Sequence, residues 1–197
     1  MKAAQTAFRS EETFTQREFR RRLDERPSSD SNHYELLDGR IVMTPPVGWT
    51  HSSVASMLVH ALIHHVRAHR LGVVFESSAG YELPSRDTLE PDVSFVSTAR
   101  FATRPPRTPN QFLRVAPNFV VEILSPSTAG RDQTEKKDIY ARNGVDEHWI
   151  VDPTRKVVTV FNLTRHRYGP GRTFKTGPLR SRMLPQLDPN ADEVFSL

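Results

Sequence analysis

The stretch FVVEILSPST, residues 119–128, reads as a buried β-strand that carries one carboxylate, Glu122, and stops at Ser125-Pro126. Alternation sets Val121 and Ile123 on one face and Val120, Glu122 and Leu124 on the other. Both faces are otherwise apolar, as in a central strand covered on each side. A carboxylate in such a place is costly unless it is paired or bound to a cation. The ordinary alternative is a Glu at a sheet edge, facing solvent, and the strand alone leaves both readings open.

Around this strand the same signals recur. VVFES (73–77), GYELP (80–84), PDVSFVS (91–97), EHWIVDP (147–153) and KVVTVFNL (156–163) are short, rich in Val and Phe, and bounded by Gly, Pro or Ser. In HYELLDGRIVMTPP (33–46), Asp38-Gly39 is a strong turn dipeptide between two apolar runs. From Trp49 to Leu71, Val54, Leu58, Leu62 and Val66 recur at four-residue spacing beside Val59 and Ile63, which predicts a long helix ended by Gly72. TEKKDIYARNG (134–144) predicts a second helix with Thr134 as N-cap and Gly144 as stop. Residues 98–117, basic and rich in Pro, are expected to form a surface loop. Residues 1–30 read as an N-terminal helix and loop extension, and residues 31–197 as a single domain. The fold class is α+β: a mixed, largely antiparallel central sheet flanked by helices, with Phe119 and Trp149 in the core.

Composition narrows the chemistry. The chain has no cysteine, which excludes disulfides and thiolate metal sites and leaves carboxylate, imidazole and carbonyl as ligands. No apolar run approaches the roughly 18 residues that span a bilayer, and the charged N-terminus lacks a signal-like apolar region, so cytoplasmic residence without membrane contact is the expectation. A net charge of +4 is compatible with a polyanionic partner, and the basic residues are mostly Arg, the better phosphate clamp. Arg100, Arg104, Arg107 and Arg114 could line a DNA groove. His60, His64, His65 and His69 include pairs four residues apart, but no HExxH is present and a solvated helix face is the simpler reading.

Asp92 opens the strand of residues 91–97. If that strand neighbours the one carrying Glu122, both carboxylates approach one point on rigid elements. Two carboxylates with a backbone carbonyl, that of Ile123, and water suit Mg²⁺ or Mn²⁺, which prefer hard oxygen. Such an ion polarises a phosphoryl oxygen and acidifies water, as phosphodiester hydrolysis requires. A Lys nearby would stabilise the charge that develops.

YELLDGRIV, WTHSSVASML, EPDVSFV, FVVEILSPST, EKKDIYARNGVDEHWIVDP and KVVTVFNL stand here in the order found in the Uma-two family, and over about residues 30 to 195 the chain resembles that branch of the PD-(D/E)xK nuclease superfamily. The resemblance implies a restriction-endonuclease-like core and a metal-dependent endonuclease acting on DNA. It makes Asp92 the first acid and Glu122 the second. A strict ExK would put Lys at position 124, where Leu124 stands. The resemblance supplies Lys136 instead, four residues before Tyr140, with Lys137 as the fallback. Glu35 resembles the further acid that such nucleases contribute as ligand or base. His51 and Ser125 are weaker candidates near the same point. A homodimer would suit cleavage of both strands. The alternative is a catalytically weak or inactive nuclease-fold domain that binds nucleic acid or a protein partner.

Overall fold

A computed structural model of the chain describes residues 7–106, 112–125, 130, 133–187 and 189–196. In chain order the elements are β1 (Phe8–Arg9), α1 (Gln16–Asp24), β2 (His33–Leu37), β3 (Arg40–Thr44), α2 (Trp49–Ala68), β4 (Gly72–Glu76), β5 (Tyr81–Glu82) and β6 (Thr88–Leu89). They continue with β7 (Val93–Ser97), α3 (Thr98–Ala102), β8 (Phe119–Ile123), α4 (Glu135–Arg142), β9 (Glu147–Asp152), β10 (Val157–Thr164), β11 (Arg167–Tyr168) and β12 (Arg172–Phe174), before a single 3₁₀ turn at Glu193–Phe195.

The central sheet runs β11-β10-β9-β8-β7-β4, with β12 also on β10. Among the described residues only its β8–β9 pair is parallel. Parallel neighbours need a crossover, and α4 supplies it, lying against the face that carries Val120 and Glu122. The central sheet is thus mixed and flanked by helices, as expected. A second sheet, ordered β1-β3-β2-β6-β5, was not legible as separate, because its strands are two to five residues long. It is built on the anticipated Asp38-Gly39 hairpin. Both residues take positive φ, 46° and 77°, and Leu37 pairs directly with Arg40. The N-terminal stretch enters this sheet through β1, and Phe19 of α1 is buried.

Two apolar layers form on the two faces of the central sheet. Val93, Phe95, Phe119, Val121, Ile123 and Trp149 meet Val54, Leu58, Leu62 and Val66 of α2 together with Leu184, Leu187 and Val194 of the C-terminal tail. On the other face Val96 and Val120 meet Ile139 and Tyr140 of α4 and Leu37, Val42 and Leu89 of the second sheet. Covered on both sides, β8 is buried along its whole length.

Two local expectations change. Helix α2 ends at Ala68, and the left-handed position is taken by Arg70 at φ 55°, with the Leu71 N–H reaching back to the Val66 carbonyl at 3.0 Å. Gly72 is required one step later, as the first residue of β4, because a Cβ there would lie 2.1 Å from the Val96 carbonyl oxygen. The segment from residue 98 opens with the short helix α3 rather than as loop, because the Ser97 hydroxyl accepts the Arg100 N–H at 3.2 Å and caps it.

A second carboxylate is buried on the neighbouring strand, and it has a structural task. Glu147 of β9 accepts the Trp149 indole N–H at 2.6 Å and the tail N–H groups of Arg182 and Met183 at 2.7 and 2.9 Å. It pins the C-terminal tail over the core. Replacing it by Ala strands one buried donor and two part-buried ones, so Glu147→Ala is expected to lose about 3 kcal/mol in urea unfolding followed by Trp149 emission.

Candidate active site

The ladder between β7 and β8 decides the site. Val93 pairs with Val121, Ser94 with Val120 and Phe95 with Phe119, so one further step sets Asp92 opposite Glu122. There the Asp92 carboxylate takes over from the backbone and accepts the Ile123 N–H at 2.7 Å. The two strands are neighbours, and directly opposed residues share a face.

Lys136 reaches this point from α4. Its ammonium lies 2.7 Å from Glu122 Oε1 and 3.0 Å from Glu35 Oε1. Tyr140, one helical turn further on, donates its hydroxyl to the same Glu122 oxygen at 2.5 Å. Lys136, Glu122 and Glu35 are all buried, at 4%, 2% and 6% exposure. Charges this deep persist only when each is met by another. Helix α4 is tied down at both ends. Arg9 grips Glu135 through both guanidinium nitrogens at 2.8 and 2.7 Å, and Arg142 reaches Asp38 and Asp87 at 2.5 and 2.7 Å. The fallback, Lys137, points elsewhere, with its ammonium 3.9 Å from the centre of the Phe161 ring.

Glu35 stands on β2 and also accepts the Glu90 N–H at 2.9 Å, so the second sheet contributes to the site through a residue of its first hairpin. Two imidazoles attend the Glu90-Pro91-Asp92 segment. His51, in the first turn of α2, sets Nε2 3.2 Å from Asp92 Oδ2, and His33 sets Nδ1 3.3 Å from Glu90 Oε2. The hydrogen bond to Glu90 raises the His33 pKa above its ordinary value in spite of burial. Burial raises the Glu90 pKa, and the bond from His33 offsets part of that rise.

These residues line one cleft of about 420 Å³, together with Ser52, Ser56 and Glu76. Glu35, Glu76, Glu90, Asp92 and Glu122 outnumber Lys136 and the two imidazoles, so the cleft favours cations. Among the described residues no three His, Asp or Glu side chains form a ready-made metal cage. Ser125 is half-buried just beyond the end of β8.

The remaining candidates fall elsewhere. Arg100 is committed to the Pro117 and Gly144 carbonyls and to Asp146, Arg104 packs on Phe101, and Arg114 pairs with Glu82. Arg107 lies outside the described residues. His60, His64, His65 and His69 border a separate pocket between α2 and the C-terminal tail. Sequence reasoning missed His33, Glu90 and the bond from Tyr140. The signals were available only in part: Glu90 adjoins the Pro91-Asp92 pair, and Tyr140 sits four residues from Lys136.

The family described as "Putative restriction endonuclease" matches residues 17–189. The chain belongs to that family, the Uma-two family. A crystal structure of "a putative nuclease belonging to DUF820" from Anabaena variabilis superposes with a TM-score of 0.75 at 20% identity, covering 92% of this chain and 97% of that one. At that identity the likeness is one of fold. No curated protein matches the chain.

Behind the Uma-two site, His148 of β9 is fully buried, its ring edge-on to Tyr140 at 5.3 Å, and neither ring nitrogen has a hydrogen-bond partner among the described residues. Burial, reinforced by the charges of Lys136 and Lys137, pushes its pKa down to about 3. The unfolded chain takes up this proton near pH 6.5 while the folded protein refuses it. Stability from His148 is therefore complete above about pH 6.5 and is lost as pH falls toward 3, with a slope on the order of 1 kcal/mol per pH unit. Denaturant midpoints measured across that window should decline in the wild type and decline less steeply in His148→Phe.

Proposed function

We propose that the protein is a metal-dependent endonuclease that hydrolyses DNA phosphodiester bonds by in-line attack of water on phosphorus. One observation carries the reading: Asp92, just ahead of β7, and Glu122, Lys136 and Glu35, from β8, α4 and β2, converge on a single cation-favouring cleft. Membership of a family described by restriction endonucleases supports it.

The donor chemistry fits Mg²⁺ or Mn²⁺. Mg²⁺ keeps several of its waters and needs only one or two protein carboxylates, so a pair of opposed acids suffices without a full cage. Asp92 and Glu122 would hold the ion, with the Ile123 carbonyl as a further oxygen donor and Glu35 beside them. The bound ion would supply polarisation of the phosphoryl oxygen and acidification of water. Lys136 donates to a non-bridging phosphate oxygen and offsets the charge that grows there as the new P–O bond forms and the opposite one breaks. Glu35 accepts the proton that the attacking water gives up. Tyr140 and His51 orient Glu122 and Asp92, each through one carboxylate oxygen. A twofold dimer of this enzyme would present one such centre to each strand of a duplex.

Supercoiled plasmid, incubated at low salt with Mg²⁺, Mn²⁺ or EDTA, tests the reading. Nicking is expected with either metal and none with EDTA. Asp92→Ala, Glu122→Ala and Lys136→Ala should each lower the rate by roughly a hundredfold or more. Metal-independent retardation of DNA on a gel without cleavage would sink the enzyme and leave a nuclease scaffold that only binds.

A further inference from the structure

The chain has two tryptophans in opposite environments. Trp149 is fully buried, whereas Trp49, the first residue of α2, is 71% exposed and is the most exposed large apolar side chain among the described residues. Its place on the helix is specific. Ser52, Ala55, Ser56 and Val59 are the α2 residues that line the cleft, together with His51. At 100° per residue Trp49 lies about 20° around the helix from Ser56 and about 60° from Ser52, but about 160° from His51, so it stands at the margin of that stripe. It stands in the first turn of α2, two residues before the His51 that contacts Asp92. The lip beside it is clear: a Cβ built on Gly48 would meet nothing within 4 Å, and no acidic residue occupies the first turn.

An indole left in water at the margin of the cleft offers a flat π-face on which, among the described residues, no ring or cation stacks. Nucleobases present the matching face, and aromatic platforms hold bases regardless of sequence. Bases inside a duplex are already stacked on each other, so only an unpaired or extruded base can reach such a platform. We propose that Trp49 is a base-stacking residue of the cleft, and that the substrate is DNA in which a base beside the scissile phosphate is unstacked, as in a single-stranded, gapped or looped segment. This inference rests on the nuclease reading above and adds the class of DNA to it.

The two tryptophans provide the measurement. Iodide quenches an exposed indole and leaves Trp149 untouched, so quenching of the full-length protein reports on Trp49. In Ca²⁺, a saturating short oligodeoxyadenylate should shield Trp49 from iodide, and its blunt duplex with oligothymidylate should shield it much less. Trp49→Ala should weaken binding of the single strand by roughly five- to a hundredfold, while Trp49→Phe, which keeps a stacking ring, should stay within about threefold of wild type. Since Trp49 is a surface residue, both variants should keep the wild-type unfolding midpoint. If wild type cleaves plasmid but Trp49→Ala binds and cleaves single-stranded DNA as well as wild type does, the stacking role is overturned and the nuclease reading stands. If wild type neither binds nor cleaves any DNA, both are overturned.

Discussion

A lysine ammonium held between two buried carboxylates is the constraint on which the rest of this structure depends. Lys136 meets Glu122 at 2.7 Å and Glu35 at 3.0 Å, and each partner is almost wholly removed from water. An ion in such a place is stable only while its partners stay, because removing one leaves the others charged and undersolvated. Three elements must therefore keep their relative positions: the central strand β8, the hairpin strand β2 and the crossover helix α4. The clamps from Arg9 and Arg142 at the ends of α4 follow from the same requirement.

Three buried acids show how differently a fold can use one functional group. Glu147 is surrounded by N–H donors of its own strand and of the tail, which neutralise it locally and make it a fastener. Glu82 is flanked by Arg20 and Arg114 and ties α1 to the second sheet. Glu122 differs in its partners, because one of its oxygens is shared by a lysine and a phenol. Depth of burial does not separate them. What separates them is the company each keeps: N–H donors match Glu147 and guanidinium groups match Glu82, whereas Glu122 shares its cleft with four further carboxylates, Glu35, Glu76, Glu90 and Asp92.

The acidic segment Glu90-Pro91-Asp92 joins the two sheets and gives the cleft its mixed character. Proline removes a backbone donor between the two acids, and each acid is met by an imidazole from a different element, His33 of β2 and His51 of α2. The Trp49 ring stands exposed at the head of α2, two residues before His51.

Much of this was legible in the chain itself. The alternation in FVVEILSPST foretold a strand covered on both faces, the four-residue spacing from Val54 to Val66 foretold α2, and Asp38-Gly39 foretold the hairpin turn. Those are local signals, set by backbone sterics and by periodicity. Leu124 in place of a lysine was equally visible, and Lys136 was the carried-over substitute. Other features lay beyond any local pattern. That Asp92 faces Glu122 depends on strand register, and that Lys136 rather than Lys137 turns inward depends on how α4 packs against β8. Glu90 and Tyr140 were marked only in part, by the adjoining Pro91-Asp92 and by the spacing from Lys136, and His33 not at all, because each acquires its role from a partner on another element or segment. The sequence by itself determined the elements and the residue types available for chemistry. Only the tertiary structure decided which of them share a cleft, because that depends on pairing and packing between segments whose separation no periodicity records.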